Sequence, residues 1–170
     1  LLTASAQLVA QGETVASTSQ AGTPTDLDLL RFGHFNGAIT RNGAALGNVV
    51  SAEITYANNL DRIETIRSDG MIDGADASIA ALNGQIELRF ADMVLMNQAI
   101  AGGPCELEFA YTLTSGESLT VTAHAVYLPR PRIEISGPQG IQANFDWQAA
   151  RGSSPARMAT ITLVNNTEEY

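Results

Sequence analysis

The sequence predicts a mostly β domain of antiparallel strands with one flanking α-helix over about residues 92–101. Between residues 82 and 90, Leu, Gly, Ile, Leu and Phe alternate with polar residues. This is the period of a strand with one apolar face and one polar, solvent-exposed face. From 92 to 101 the apolar residues recur every three or four positions, as in a helix. Residues 105–128 alternate again around a Ser-Gly turn, which predicts an antiparallel hairpin. A single apolar helix in such a chain is expected to cover the dry face of a sheet.

The first part of the chain lacks the large apolar residues of a packed element. Residues 1–28 are mostly Ala, Thr, Ser, Gln and Gly, and the cluster Gly22-Thr23-Pro24-Thr25 favours a turn. We therefore expect an extended arm or linker over 1–28, a β domain over 29–166 and a short polar tail over 167–170.

Short strands and turns are predicted between the arm and residue 82. Arg41-Asn42-Gly43 is a strong signal for a β-hairpin turn. Asn58-Asn59-Leu60 is expected to turn the chain, and three carboxylates and two glycines follow in the loop 68–76. The predicted strands in this part are 29–39, 49–56 and 62–67.

The helix carries its own start and stop signals. Asp92 can accept the first free N–H groups, and Gly102-Gly103 permits a left-handed stop. Met93, Met96 and Ile100 fall on one face, with Leu95 and Ala99 beside them, so we expect this face to dock on the sheet.

The remaining strands alternate clearly. Cys105 belongs to an apolar row and is expected in the core, as free cysteines usually are. The prolines of residues 129–132 break the returning strand, and a new strand is expected from Ile133. Residues 141–147 alternate between apolar and polar, and 158–164 form the last predicted strand.

Composition excludes several classes of function. Eighteen acidic residues oppose nine basic ones, all of them arginine, for a net charge of −9. A protein that reads nucleic acid sequence needs a positive surface, whereas a surface that DNA passes without adhering does not. The only cysteine, Cys105, excludes an intrachain disulfide and a multi-cysteine metal site. No apolar run is long enough for a membrane span, and no leader resembles a signal peptide.

Few residues have the spacing of a catalytic or metal site. His34 and His124 have no ligand or nucleophile at a useful separation. The loop carboxylates lack the late Glu of a calcium loop. Glu106 and Glu108 lie on one side of a strand, about 7 Å apart by the strand rise. That separation suits glycoside hydrolysis, but a solvated face explains the pair better.

The order of several features resembles the tail tube proteins of long-tailed phages. These features are the turn 58–60, the step Phe90-Ala91-Asp92 into the helix, the break Leu128-Pro129 and the closing strands with Phe145 and Trp147. The resemblance covers about residues 29–166 and is strongest to the second half of longer tube proteins with two tube domains. Residues preceding the domain are then expected to be the join to a first half.

The resemblance implies a β-sandwich-like or barrel-like tail tube domain whose helix flanks the outside of a channel wall. Six domains would join edge to edge into rings that stack, from six copies or three double-length chains. The chain would be a structural protein of the virion tail, made in the bacterial host cytoplasm, with no enzymatic activity and no cofactor. Its partners would be further copies, other tail proteins at the tube ends and double-stranded DNA passing without specific binding, with no membrane.

The resemblance also assigns candidate surfaces. The polar positions expected to line the lumen are Asn83, Gln85, Glu87, Glu106, Glu108, Thr120 and Thr122. The residues expected to contact neighbouring subunits or rings are Asn58, Asn59, Leu60, Asp69, Asp73 and Asp76.

Two other readings compete with this one. A carbohydrate-binding or adhesin-type β-sandwich would require exposed aromatic residues, yet the only tryptophan, Trp147, lies in an apolar alternation. A small hydrolase using Glu106 and Glu108 is the weaker alternative.

Overall fold

The computed structural model describes residues 2–23, 30–89, 92–130 and 142–166. Its elements are a 3-10 turn His34–Asn36, strands β1 (Gly37–Arg41), β2 (Ala44–Ala45), β3 (Val49–Ala57), β4 (Asp61–Ile63), β5 (Gly74–Asp76) and β6 (Ala81–Arg89), helix α1 (Val94–Ala101), and strands β7 (Cys105–Thr112), β8 (Ser118–Tyr127), β9 (Gln142–Ala150) and β10 (Ala159–Val164). The fold is therefore mostly β with one α-helix in the described residues, as predicted. That helix is too short to cross a membrane.

One eight-stranded antiparallel sheet forms the body of the domain. Its strand order is β2-β1-β7-β8-β9-β6-β3, and β10 adds to β8 beside this path. Strand β8 pairs β10 through residues 118–123 and β9 only through 125–127. The sheet divides at this short junction into two layers. Strands β9, β6 and β3 form one layer, and β2, β1, β7, β8 and β10 form the other. The strands do not close into a barrel, so the two layers form a sandwich.

A single apolar core lies between the two layers. Every second residue of β9 is buried, namely Ala143, Phe145, Trp147 and Ala149. Phe109 of β7 stacks on Trp147 with ring centroids 6.0 Å apart, which joins the two layers. Cys105 is buried in the same cluster, as predicted.

Helix α1 packs on the core through one face. Asp92 Oδ1 accepts the backbone N–H of Val94 at 3.0 Å, and Gly102 stops the helix at φ +69°, so both predicted signals are confirmed. The predicted buried face is correct for Met96 and wrong for Met93 and Ile100, which stay about half exposed. Leu95 and Ala99, expected beside that face, are buried with Met96. Ile100 lies about 100° round the helix from Ala99, away from the contact.

Two predicted strands are shorter than the sequence indicated. Residues 34–36 form a 3-10 turn in which Asn36 Oδ1 accepts the N–H of Gly33 at 2.8 Å, so β1 begins only at Gly37. The strand predicted over 62–67 ends at Ile63, because β4 pairs with the three residues of β5. The strand predicted from Ile133 lies outside the described residues.

The predicted turns agree well with the structure. Asn42 and Gly43 have φ values of 50° and 77°, and Arg41 pairs with Ala44 across this two-residue turn. Positive φ at both positions is typical of the hairpin turn that matches strand twist. Gly116 turns the chain between β7 and β8 at φ 107°.

Candidate functional site

The first group of predicted lumen residues lies on a continuous polar face of β3, β6 and β9. Asn83, Gln85 and Glu87 alternate with core residues along β6, which is the central strand of this layer. Gln85 stands between Glu53 of β3 and Asp146 of β9. Because side chains of paired residues share a side of the sheet, the polar positions of all three strands merge into one surface.

Hydrogen bonds run across this surface from strand to strand. Gln85 Nε2 donates to Asp146 Oδ1 at 2.9 Å, and Ser51 Oγ donates to Glu87 Oε2 at 3.0 Å. Asp146 is exposed and Glu87 is half-buried, and Glu53 adds a third carboxylate, which is exposed. We call the polar positions of β3, β6 and β9 the β6 face.

The second group of predicted lumen residues lies on β7 and β8. Glu108 pairs with Thr122 and Ala110 with Thr120, and Thr122 Oγ1 is 3.5 Å from Glu108 Oε2. Glu106 Oε2 contacts His124 Nδ1 at 3.2 Å, and His124 Nε2 contacts Thr160 Oγ1 at 2.8 Å. We call this surface the β8 face. The role of His124 as a link between β7, β8 and β10 was not found from sequence, because Glu106 and Thr160 are distant along the chain.

The structure separates the seven predicted lumen residues into these two faces. Strands β6 and β7 are three places apart in the sheet order, and both contribute side chains to the same core. Their polar side chains therefore point away from that core in different directions.

The predicted assembly residues lie at the far end of the β3–β6 hairpin. Asn59 has φ 48°, and its side-chain amide donates to the carbonyl of Ile79 at 2.8 Å, which fixes the turn at 58–60. Asp76 belongs to β5 and pairs with Asp61 of β4. These contacts join residues 58–79 into a projecting segment, which we call the hairpin tip.

A charged cluster holds the loop of the hairpin tip. The guanidinium of Arg67 bonds Asp69 Oδ2 at 2.7 Å and also bonds the carboxylate of Asp73. Asp69 Oδ1 additionally accepts the backbone N–H of Met71 at 3.1 Å. The Arg67 side chain, and secondly this backbone bond, lower the pKa of Asp69. Sequence analysis assigns no partner to these carboxylates and misses Arg67, although its position two residues before Asp69 is a usable signal.

Exposed apolar side chains lie on the hairpin tip and on β10. Leu60, Ile66 and Ile79 project from the hairpin tip, and Ile66 is fully exposed. Ile161 and Leu163 project from β10, which pairs with β8 along one edge. Such residues favour contact with another protein surface. Of these, sequence analysis selects only Leu60, because each of the others looks like an ordinary core residue in its strand or loop.

The structure does not bring together the residues that a sugar-binding site or a hydrolase site would need. Trp147 is buried against Phe109, so it offers no platform for a sugar. Among the described residues, no cluster of His, Cys, Asp and Glu has the geometry of a metal site. Glu106 contacts His124 and Glu108 contacts Thr122 on an open sheet face, which explains both carboxylates without catalysis.

Comparison with known proteins agrees with this architecture. A family model described as phage tail tube protein matches residues 1–149. No curated protein matches the chain. Two of the solved structures with a similar fold illustrate the likeness. The tube terminating cap of the anti-feeding prophage is 10% identical, with a TM-score of 0.57 over 86% of this chain and 100% of that one. A chain of the PVC sheath-tube complex, an extracellular contractile injection system in the extended state, is 10% identical, with a TM-score of 0.54 over 79% and 93%.

Proposed function

We propose that this chain, which belongs to the phage tail tube protein family, closes side by side with copies of itself into rings that stack into a tube. As a member of that family it is a structural protein of the virion tail and not an enzyme. The finer assignment is that residues 29–166 form the tube domain and residues 1–28 an arm outside it.

The continuous β6 face is the observation that carries the proposed lumen. It is three strands wide, and its polar positions hold three carboxylates, Glu53, Glu87 and Asp146, among amides and hydroxyls. The only cation of these three strands is Arg89, at the end of β6. We assign Asn83, Gln85 and Glu87 to the bore and place Glu106, Glu108, Thr120 and Thr122 away from it.

An anionic wall suits a conduit for double-stranded DNA. Each arginine or lysine that neutralised a phosphate would release counterions and hold the duplex. Carboxylates repel the phosphates, and neutral amides and hydroxyls attract them only weakly. Salt screens this repulsion beyond about 8–10 Å, so it acts mainly where the duplex comes close to the wall. The duplex therefore slides along the bore without specific binding.

The remaining surfaces are assigned to assembly. The hairpin tip, with Asn58, Asn59, Leu60, Asp69, Asp73 and Asp76, contacts a neighbouring subunit or ring. The edge of β10 that has no strand partner among the described residues forms part of the lateral contact with its exposed apolar side chains, because pairing or covering removes the hazard of an open edge. Other tail proteins, of the kind represented by a tube terminating cap, close the tube ends.

Electron microscopy of the purified protein tests this proposal. Concentrated protein is expected to form rings or stacked tubes with a central hole, and a map of these particles should place Asn83, Gln85 and Glu87 on the hole. A protein that stays monomeric at high concentration would contradict the proposed assembly. A ring whose hole is lined by Glu106 and Glu108 would contradict the proposed lumen residues.

A further inference from the structure

The hairpin tip carries two adjacent carboxylates that its own arginines do not neutralise. Asp61 of β4 and Asp76 of β5 are paired across the two strands, and both are exposed. Directly opposed residues of an antiparallel pair have Cβ atoms about 4.5–5.5 Å apart, and like charges in such a pair repel. Arg67 is engaged by Asp69 and Asp73. Among the described residues, no ion pair involves Asp61 or Asp76, so both remain open to a cation from outside the tip.

The loop between β9 and β10 has the opposite charge. Residues 147–166 contain no Asp or Glu, although the whole chain has a net charge of −9, and their only charged residues are Arg151 and Arg157. Both arginines are exposed. Neither forms an ion pair with any part of the chain that the structure describes. We call residues 151–158 the basic loop.

Hydrogen bonds within the basic loop hold its shape. The N–H of Gly152 donates to the carbonyl of Arg157 at 3.0 Å, which closes the loop on itself. Arg151 Nε donates to the carbonyl of Ala156 at 3.1 Å and so fixes the direction of the guanidinium. A guanidinium presents several N–H donors in a planar fork that matches a carboxylate, and less side-chain freedom is lost when its position is already set. The basic loop is therefore suited to bind carboxylates.

The hairpin tip and the basic loop lie at the same end of the layer formed by β9, β6 and β3. The tip leaves β3 after Ala57 and enters β6 before Ala81, and these two residues are paired. Leu82 at the start of β6 is paired with Ala149 near the end of β9, just before the basic loop. Within the described residues of one copy, no ion pair joins the tip to the basic loop.

This placement favours a contact between neighbours in one ring. Rotation about an axis that runs along these strands leaves every feature at its height on that axis. A ring neighbour related by such a rotation presents its basic loop at the height of the hairpin tip. A copy stacked in the same direction presents the other end of its strands to the tip, where the basic loop does not lie.

We propose that the hairpin tip of each copy binds the basic loop of its neighbour in the same ring, with Asp61 and Asp76 facing Arg151 and Arg157. This inference rests on the proposed assembly into rings and names the two surfaces of one lateral contact. The contact is heterologous, because two different surfaces of the chain meet, and repeated rotation closes such contacts into a ring. Opposite charges on the two surfaces fix which partner and which register are accepted.

Complementation between two charge-reversed chains tests this contact. The tip variant is Asp61→Arg/Asp76→Arg, and the loop variant is Arg151→Asp/Arg157→Asp. Each variant alone brings like charges together at every contact, so we expect at least about tenfold fewer rings than for the wild type at low salt, counted by electron microscopy. An equal mixture is expected to recover the rings, because alternating copies place opposite charges at every contact.

The mixture distinguishes a contact between copies from one within a copy. In a single chain of either variant the tip and the basic loop have the same sign, so only pairing with the other variant can bring opposite charges together. Recovery also shows that both variants are folded. As controls, Glu13→Arg and Arg31→Asp reverse exposed charges outside both surfaces, and each should form rings like the wild type.

The outcomes separate this inference from the proposed function. Loss of rings in each variant and recovery in the mixture support the contact. Normal tubes from either variant alone, or no rings from a mixture of variants that melt like the wild type, would overturn it while leaving the tube assignment intact. Normal rings that do not stack would place the contact between rings and would also overturn it. If the wild-type protein forms no rings, both proposals fail.

A conservative variant decides the question even if a charge-reversed chain does not fold. Asp61→Asn/Asp76→Asn keeps the size of both side chains and removes their charge. It is expected to need at least about threefold more protein than the wild type to form rings at low salt, because two ion pairs per contact are lost. The difference should shrink as salt screens the contact. Equal ring formation by this variant and the wild type at low salt would overturn the inference.

Discussion

Gly84 of β6 and Trp147 of β9 are paired across the two strands, and a Cβ at residue 84 would lie 2.5 Å from the indole ring. The same Cβ would lie 2.0 Å from the backbone carbonyl of Glu53 in β3. Glycine at this position thus lets three strands and the largest core side chain approach closely. The β6 face depends on this approach, because it sets how β3, β6 and β9 lie together.

Substitution of Gly84 tests this packing. Gly84→Ala is expected to destabilise the domain by roughly 3 kcal/mol, because the added methyl meets backbone that cannot move independently. The change is measured by urea unfolding. Gly74→Ala is the control, since a Cβ there meets nothing within 4 Å, and its effect should stay within about 0.5 kcal/mol. Equal effects of the two changes would show that the close approach is not important.

The docking of helix α1 is tested by two substitutions on the same helix. Leu95→Asp is expected to cost more than about 3 kcal/mol, because it puts a carboxylate into the core. Ile100→Asp should cost no more than about 1 kcal/mol, since Ile100 is about half exposed. Thermal melts of the two monomeric variants distinguish these effects. Loss of folding in Ile100→Asp would mean that the helix docks through its other face.

The charge of the β6 face is tested in assembled virions. Glu53→Lys is expected to slow DNA ejection by roughly tenfold at low salt, because each ring gains cations that hold phosphates. Ejection should recover as the salt concentration rises. Glu108→Lys makes the same charge change on the β8 face and should eject normally. Slower DNA ejection by Glu108→Lys than by Glu53→Lys would assign the bore to the β8 face.

The ion cluster of the hairpin tip is tested by titration of Asp69. The Arg67 side chain and the Met71 N–H hold the pKa of this carboxyl below its ordinary value. A pKa lowered by folding contributes stability above the unfolded-state pKa, near 4, and that contribution is lost as pH falls through the lower folded-state value. In Arg67→Gln the pKa of Asp69, followed by carbon NMR, should rise toward its ordinary value, whereas Arg62→Gln should leave it unchanged. An unchanged pKa in Arg67→Gln would refute the assignment.

The thiol of Cys105 provides a direct measure of core integrity. Burial raises the pKa of this group, so little thiolate is present at neutral pH. Folded protein should react with a disulfide reagent at least about a hundredfold more slowly than protein in denaturant, because reaction needs an exposed thiolate. Rapid reaction of the native protein would show that the β7 end of the core opens readily.

Sequence periodicity predicted local structure well where a segment met its partners along its whole length. The alternation in β6 and β9 and the Asn42-Gly43 turn all correspond to observed elements. Sequence periodicity failed where a residue distant in the chain decided how far a strand extends. The strand over 62–67 stops at Ile63 because β5 is only three residues long, and Arg67 turns instead to Asp69 and Asp73.

The sequence by itself determined that the chain folds as antiparallel strands with wet and dry faces, one capped helix and a strongly acidic surface. These properties follow from the period of two residues in strands, from the 3.6-residue turn of a helix and from the count of charges, all of which are local or additive. Only the tertiary structure decided that Glu87 and Glu108 belong to different faces, that Leu95 and not Ile100 is buried, and that β8 pairs with β9 through only three residues. These facts depend on the order of strands in the sheet, where β6 lies beside β9, some 60 residues later in the chain, and pairings between such distant residues leave no periodic trace in the sequence.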